Sequence, residues 1–199
     1  MKRLLSNNSA ALFVAVLLLL PACIPEKKVE ADLALRASEQ DVRKRDAEIE
    51  LVLRDSEQDI RKGDFDGALG AYGAALRKYP GDRGLLKNYL ETAEDIRDAA
   101  DDAFDKEEFT SSGRTYALLL KNYPHFKKIT RDLSFDRKYL EDRLKECSDR
   151  LSERALTKYR QGNLTAAIAL WKNLLEFEPG NAGVKKAIDT ASTQLKNLQ

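Results

Sequence analysis

Apolar residues recur every three or four positions through most of this chain. Leu140, Leu144, Cys147 and Leu151 form one such stripe, and Val184, Ile188, Ala191, Leu195 and Leu198 form another. That spacing gathers them on one face of a helix. The alternating and β-branched runs that announce strands are missing, so the expected fold class is all-α. One stretch breaks the period. Behind Lys2 and Arg3 stands an unbroken apolar run, Ala10 to Leu20, which closes in Leu20-Pro21-Ala22-Cys23. A basic start, a short apolar core and a small residue before a cut make a secretory signal. The run is too short for a transmembrane helix, which needs ~20 apolar residues.

The periodic part repeats itself. Lys62–Pro80, Lys106–Pro124 and Gln161–Pro179 align without gaps. A small residue stands at Ala68, Ser112 and Ala167, an aromatic at Tyr72, Tyr116 and Trp171, and a leucine at Leu76, Leu120 and Leu175. Phe65, Phe109 and Leu164 open each copy, and Ser56, Ala100 and Ala155 place a further small residue on the helix before it. Gly63 and Gly162 can take the positive φ of a helix C-cap. Asp66, Thr110 and Thr165 are placed to cap the following helix, and each proline ends it.

These copies resemble the tetratricopeptide repeat, a helix–turn–helix unit in which small residues let paired helices approach closely. The resemblance covers roughly residues 49–181, with repeats near 49–82, 93–126 and 148–181. It implies a right-handed superhelix with a long N-terminal helix and a capping helix over 182–199. The repeat prolines lie 44 and 55 residues apart, wider than the 34 of the consensus repeat. The superhelix is therefore expected to be irregular, with a long helix running on from Asp82 and a short extra helix near 126–132. Terminal repeats of a solenoid must solvate one face, which the stripe from Val184 to Leu198 suits. At the other end, Leu35–Asp46 recurs as Leu53–Asp64 with nine of twelve positions identical, at an offset of 18. Eighteen residues are five helical turns, so both copies present one face, about 27 Å apart on a continuous helix. That duplication reads either as a lengthened first helix or as a repeated docking face or stalk.

Cys23, directly after the cut, resembles the lipobox cysteine of bacterial lipoproteins. The resemblance implies loss of residues 1–22, lipidation of Cys23, a tether over 23–29 and a helical repeat domain over 30–199. Two or more acyl chains anchor a protein stably where one does not. Ile24 stands where an inner-membrane retention signal would place Asp, so the family rule directs the chain to the outer membrane, facing the periplasm.

Composition narrows the function further. The net charge of +1 falls to about −1 once Lys2 and Arg3 are removed. Nothing here favours nucleic acid as a partner. Lipidation of Cys23 leaves Cys147 without an intramolecular partner. Its place on an apolar stripe marks it as a buried core thiol, a usual role for free cysteine. Catalysis has little to draw on: the one histidine, His125, follows Pro124 in a turn with no second ligand at metal spacing. No serine elbow or phosphate-cradling glycine loop occurs. The chain is expected to be no enzyme, and neither a cofactor nor a metal is called for.

Charge is segregated. Glu91–Glu108 holds nine acidic residues against Arg97 and Lys106, and Arg114–Lys138 holds seven basic residues against Asp132 and Asp136. These runs are either solvated faces that neutralise each other or a polarised groove in which Lys127, Lys128, Arg131, Arg137 and Lys138 meet an acidic partner. Tyr89, Tyr139 and Tyr159 are either core or groove contacts. The expected function is a non-catalytic scaffold that binds envelope proteins or peptides. The alternative is a structural protein contacting peptidoglycan or lipopolysaccharide through the basic face.

Overall fold

The computed structural model describes residues 26–123 and 131–198, with side chains from Glu30 onward. The signal segment, Cys23, His125, Lys127 and Lys128 lie outside the described residues. Seven helices and no strand occur among the described residues: α1 Glu26–Lys62, α2 Phe65–Lys78, α3 Arg83–Asp105, α4 Phe109–Asn122, α5 Arg137–Arg160, α6 Leu164–Leu175 and α7 Ala182–Asn197. The fold is all-α, as the periodicity requires. α1 already begins at Glu26, inside the stretch expected as tether. Arg131 and Asp132, expected to end a short extra helix, lie in a turn and a bend.

The chain divides into two compact units, Met1–Lys44 and Arg45–Gln199. The division falls inside the 30–199 span read as one domain. In the first unit, every residue from Glu30 to Lys44 is exposed along α1. In the second, each helix packs on the next in sequence, from α2 on α3 through α6 on α7.

Short turns with strong local signals produce this order. Gly63 and Gly162 end α1 and α5 in the left-handed region, at φ 79 and 78, where glycine carries no Cβ penalty. The chain then turns over two residues, so the N-caps fall earlier than the sequence suggested. Asp64 accepts from the Gly67 N–H and Asn163 from the Ala166 N–H. Asp66, Thr110 and Thr165 lie past the cap, inside the first helical turn. Asp82, Asp136 and Asn181 cap α3, α5 and α7 in the same manner. α2 and α4 stop just short of Tyr79-Pro80 and Tyr123-Pro124, because the residue before proline disfavours the α region.

The middle turn differs. Glu107 occupies the position of Gly63 and Gly162 and holds φ 60 with a side chain attached. A left-handed non-glycine residue costs roughly 1 kcal/mol. Glu107→Gly is therefore expected to stabilise the protein by about 0.5–1 kcal/mol, read as a higher urea midpoint. The ion pair from Glu107 to Arg154 is lost in that variant, but it is exposed and offsets little.

The core is built from the aligned positions. Ser56, Ala100 and Ala155 are fully buried, as are Ala68, Ser112 and Ala167. Tyr72, Tyr116 and Trp171 are 1%, 0% and 3% exposed. Small residues at one position bring neighbouring helices close, and the aromatic one turn on fills the space beside them. Each buried large side chain contributes roughly 1.5–3 kcal/mol. Val184 and Ala191 bury the face of α7, but Leu198 of the expected capping stripe is 78% exposed.

Cys147 lies in this core with no exposed surface. Its thiol donates to Ser112 Oγ at 3.5 Å, and that hydroxyl donates to the Ala100 carbonyl at 2.9 Å. Burial pushes the thiol pKa up, with the Ser112 hydrogen bond opposing it. Reaction needs an accessible thiolate. Native protein should therefore leave Cys147 unlabelled by a maleimide. Labelling should rise with urea in step with unfolding, which peptide mass spectrometry can follow.

Candidate functional site

Among the described residues, the densest polar cluster joins α3, α4 and α5. At its centre, the Asp101 carboxylate accepts hydrogen bonds from the hydroxyls of Tyr116 and Tyr139, the latter at 2.6 Å. Arg97 donates to it from the preceding turn of α3 at 3.3 Å, and the Arg143 guanidinium approaches from α5 to 3.5 Å. Arg97 also binds Glu94, whose carboxylate takes the Ser134 backbone N–H and hydroxyl. Arg143 lies over the Phe104 ring at 4.0 Å, a cation–π contact.

Opposing effects set the charge of this cluster. Burial works to raise the Asp101 pKa, but the hydrogen bonds from Tyr116, Tyr139 and Arg97 and the charge of Arg143 outweigh it. The carboxyl is held below its ordinary value. Burial and then the Asp101 bond push the Tyr116 phenol up. The Nε atoms of Arg97 and Arg143 are buried with no acceptor, so the cluster is tightly but not completely satisfied. Each partner donates to or pairs with another side chain of the same cluster, and the arrangement fastens three helices.

The sequence-predicted contacts separate into several places. Tyr89 is 3% exposed and donates to the Asn122 carbonyl at 2.6 Å. Burial pushes its phenol up. Of the two readings, core describes it, and its hydroxyl ties α3 to the end of α4. Tyr139 is half-buried and committed to Asp101. Tyr159 packs at 5.8 Å against Trp171 and also lines an open cleft with Leu164, Gln194 and Leu198. Arg131, Arg137 and Lys138 are exposed. Arg137 lies over the Tyr123 ring and pairs with Glu141, and Lys138 pairs with Asp142. Arg137 and Lys138 are thus balanced by carboxylates on their own helix. Arg114 pairs with Glu176, and Lys121 with Asp66. Of the two charge readings, neutralisation describes these residues better, with partners other than the acidic run on α3.

Two shallow clefts adjoin at the turn between α3 and α4. One, of about 320 Å³, is lined by Phe104, Asp105, Phe109, Arg150 and Glu153; the other by Glu108, Thr110, Ser111, Arg114 and Leu151. Glu107, Phe109 and Arg154 border both. Their charges are mixed, so neither selects a ligand by sign. Among the described residues, no cluster of three His, Cys, Asp or Glu side chains could hold a metal. None of the described helices is long and apolar enough to cross a membrane.

Reasoning from sequence missed Asp101 and Arg143. A signal existed: Asp101 follows the buried small residue Ala100, beside a repeat tyrosine whose hydroxyl needs a partner. Comparison with protein-family models finds no match to this chain, and comparisons with curated proteins and with solved structures find none either.

Proposed function

We propose that this chain is a membrane-anchored, non-catalytic scaffold of the bacterial envelope. Its helical hairpins are read as a tetratricopeptide-like right-handed superhelix, and its surface as the part that meets partner proteins or peptides. The observation that carries this reading is the threefold recurrence, in phase, of a small residue and an aromatic at buried positions of α2, α4 and α6. A solenoid of such units offers a long surface rather than one deep pocket. The clefts found here, shallow and mixed in charge, suit contact with a protein better than enclosure of a small substrate.

Anchoring rests on the lipobox-like Leu20-Pro21-Ala22-Cys23, with the outer membrane as destination. Fold alone does not name the partner. The basic-face alternative draws less support, because Arg137 and Lys138 are paired with Glu141 and Asp142.

Affinity purification from detergent-solubilised envelopes, with and without a cross-linker, tests the scaffold reading. A stoichiometric envelope protein should co-purify, and its absence under both conditions overturns the proposal. Cys23→Ser should abolish metabolic labelling with palmitate and release the chain from the membrane fraction. Unchanged labelling overturns the anchor.

A further inference from the structure

The 18-residue duplication extends further toward the N-terminus than the identical core shows. Glu30, Ala31, Ala34, Leu35, Ser38 and Val42 correspond one by one to Glu48, Ile49, Val52, Leu53, Ser56 and Ile60. Within each set, the three- and four-residue steps gather the positions on one face of the helix. The second set is a docking face already in use. Ser56 is fully buried and Ile49 is 8% exposed, while Val52, Leu53 and Ile60 pack against the core. Its occupant is α2, whose Tyr72 lies against Ser56 and whose Leu69, Tyr72 and Leu76 share one core with Ile49. The end of α2 is held by Glu48, which accepts from Lys78 Nζ and the Tyr79 hydroxyl.

The first set keeps the chemistry and, among the described residues, lacks the occupant. Leu35 is 58% exposed, Val42 46%, and Glu30, Ala31, Ala34 and Ser38 are exposed too. The cause can be read in one residue. Gly63 takes φ 79 and lets the chain fold back as α2, whereas its counterpart Arg45 continues α1. The sequence thus repeats the receptor face, and among the described residues no helix fills the first copy.

We infer that the exposed Glu30–Val42 face of α1 is a docking site for an amphipathic helix of another protein, built like α2. Such a helix carries a small residue, a tyrosine four residues on, a leucine four further, and a Lys-Tyr end for Glu30. Ala31 and Ala34 replace Ile49 and Val52, so the guest has room for larger side chains at that end. The exposed carboxylates Glu39 and Asp41 flank the face on either side, and Arg36, Arg43 and Arg45 are exposed nearby, so the guest is selected by shape and apolar pattern rather than by charge. The chain's own α2 is excluded as occupant, because its apolar face is already buried, with Ala68, Leu69 and Tyr72 at 0%, 1% and 1% exposure. This inference rests on the scaffold reading and names a surface and a partner type for it.

The test uses the full-length protein in lipid nanodiscs and a fluorescent synthetic peptide of residues 64–80 as the probe, followed by anisotropy. Saturable binding is expected, weakened about tenfold or more by Leu35→Glu with Val42→Glu, and several-fold by Glu30→Lys. Leu33→Glu, on the opposite face, should change nothing. All four positions are exposed, so an unchanged melting curve confirms that the fold is intact. Absence of saturation up to about 1 mM peptide overturns the inference, as does binding indifferent to the Leu35/Val42 pair. A wild-type dimer that the same pair converts to monomer overturns it in favour of a second copy. Envelope partners that still co-purify with the Leu35/Val42 variant overturn this face while leaving the scaffold reading standing.

Discussion

Asp101→Asn should lower the stability of the protein by about 2–3 kcal/mol, measured by urea unfolding at neutral pH. Removing one member of a buried ion pair costs roughly 3–5 kcal/mol, because the partner charges are left uncompensated. The Asp101 side chain keeps 21% of its surface exposed, so water screens part of that loss. The amide retains one oxygen for the tyrosine hydroxyls but no charge for Arg97 or Arg143. Tyr116→Phe and Tyr139→Phe each remove one donor and should cost about 1 kcal/mol. The sum of the single losses should exceed the loss in the triple variant, since all three act on one carboxylate.

The pH dependence gives the same prediction a second readout. The folded pKa of Asp101 lies below its ordinary value, because donated hydrogen bonds and the Arg143 charge outweigh the burial that opposes them. A depressed carboxyl pKa contributes stability that is fully present above the unfolded value, about 3.9. That contribution disappears as the pH falls through the folded value. The gap between wild type and Asp101→Asn should therefore be widest near neutrality and close below about pH 4. A gap that stays constant down to about pH 2.5, well below the ordinary carboxylate range, would trace the loss in Asp101→Asn to packing and sink the electrostatic account. Glu94, whose burial is outweighed by hydrogen bonds from Ser134 and Arg97, adds acid sensitivity of its own to both proteins.

Much of the fold can be read from local chemistry. α3 begins at Arg83 because Asp82 caps it, and α1 and α5 stop where Gly63 and Gly162 permit a left-handed turn. The buried positions follow from three gapless copies, since a residue at the same place in each copy meets the same neighbours. The failures have physical causes as well. Glu107 shows no sign of its left-handed backbone, because only glycine or asparagine announces one. Asp66 reads as a cap by composition, but the turn closes over Gly63-Asp64 and frees Asp66 to accept from Lys121 and Asn122 of α4. Those hydrogen bonds hold its carboxyl low. Tyr89 could not be assigned to core or groove by period alone, because its hydroxyl finds the Asn122 carbonyl 33 positions away. The Asp101 cluster was hidden for the same reason, as Tyr139 lies 38 positions on. Exposure of the first α1 copy was equally invisible, since its sequence matches a buried face.

Gly113→Val should be the most damaging single substitution on α4, costing about 3 kcal/mol or more. A Cβ at Gly113 would stand 2.7–2.9 Å from three carbons of the Phe177 ring, closer than atoms of that kind approach. Phe177 is 8% exposed and follows α6, where the next turn closes, so the ring has little freedom to withdraw. Inserting atoms into a packed core costs typically 1–3 kcal/mol, and Val adds two methyl groups beyond the Cβ. Gly113→Ala sets two effects against each other. Alanine gains roughly 0.8–1.0 kcal/mol of helix propensity over glycine, while the Cβ overpacks against the ring. The clash should win, for a net loss of about 1–2 kcal/mol. Removing the ring reverses the sign. In a Phe177→Ala background, itself about 3 kcal/mol less stable, Gly113→Ala should stabilise by about 1 kcal/mol, since only propensity and partial filling of the cavity remain. The coupling between the two sites, obtained from urea unfolding of the four proteins, should thus be about 2–3 kcal/mol, at the upper end for residues in contact. Gly113→Ala that destabilises equally in both backgrounds would place its cost in α4 itself and not in the contact with Phe177.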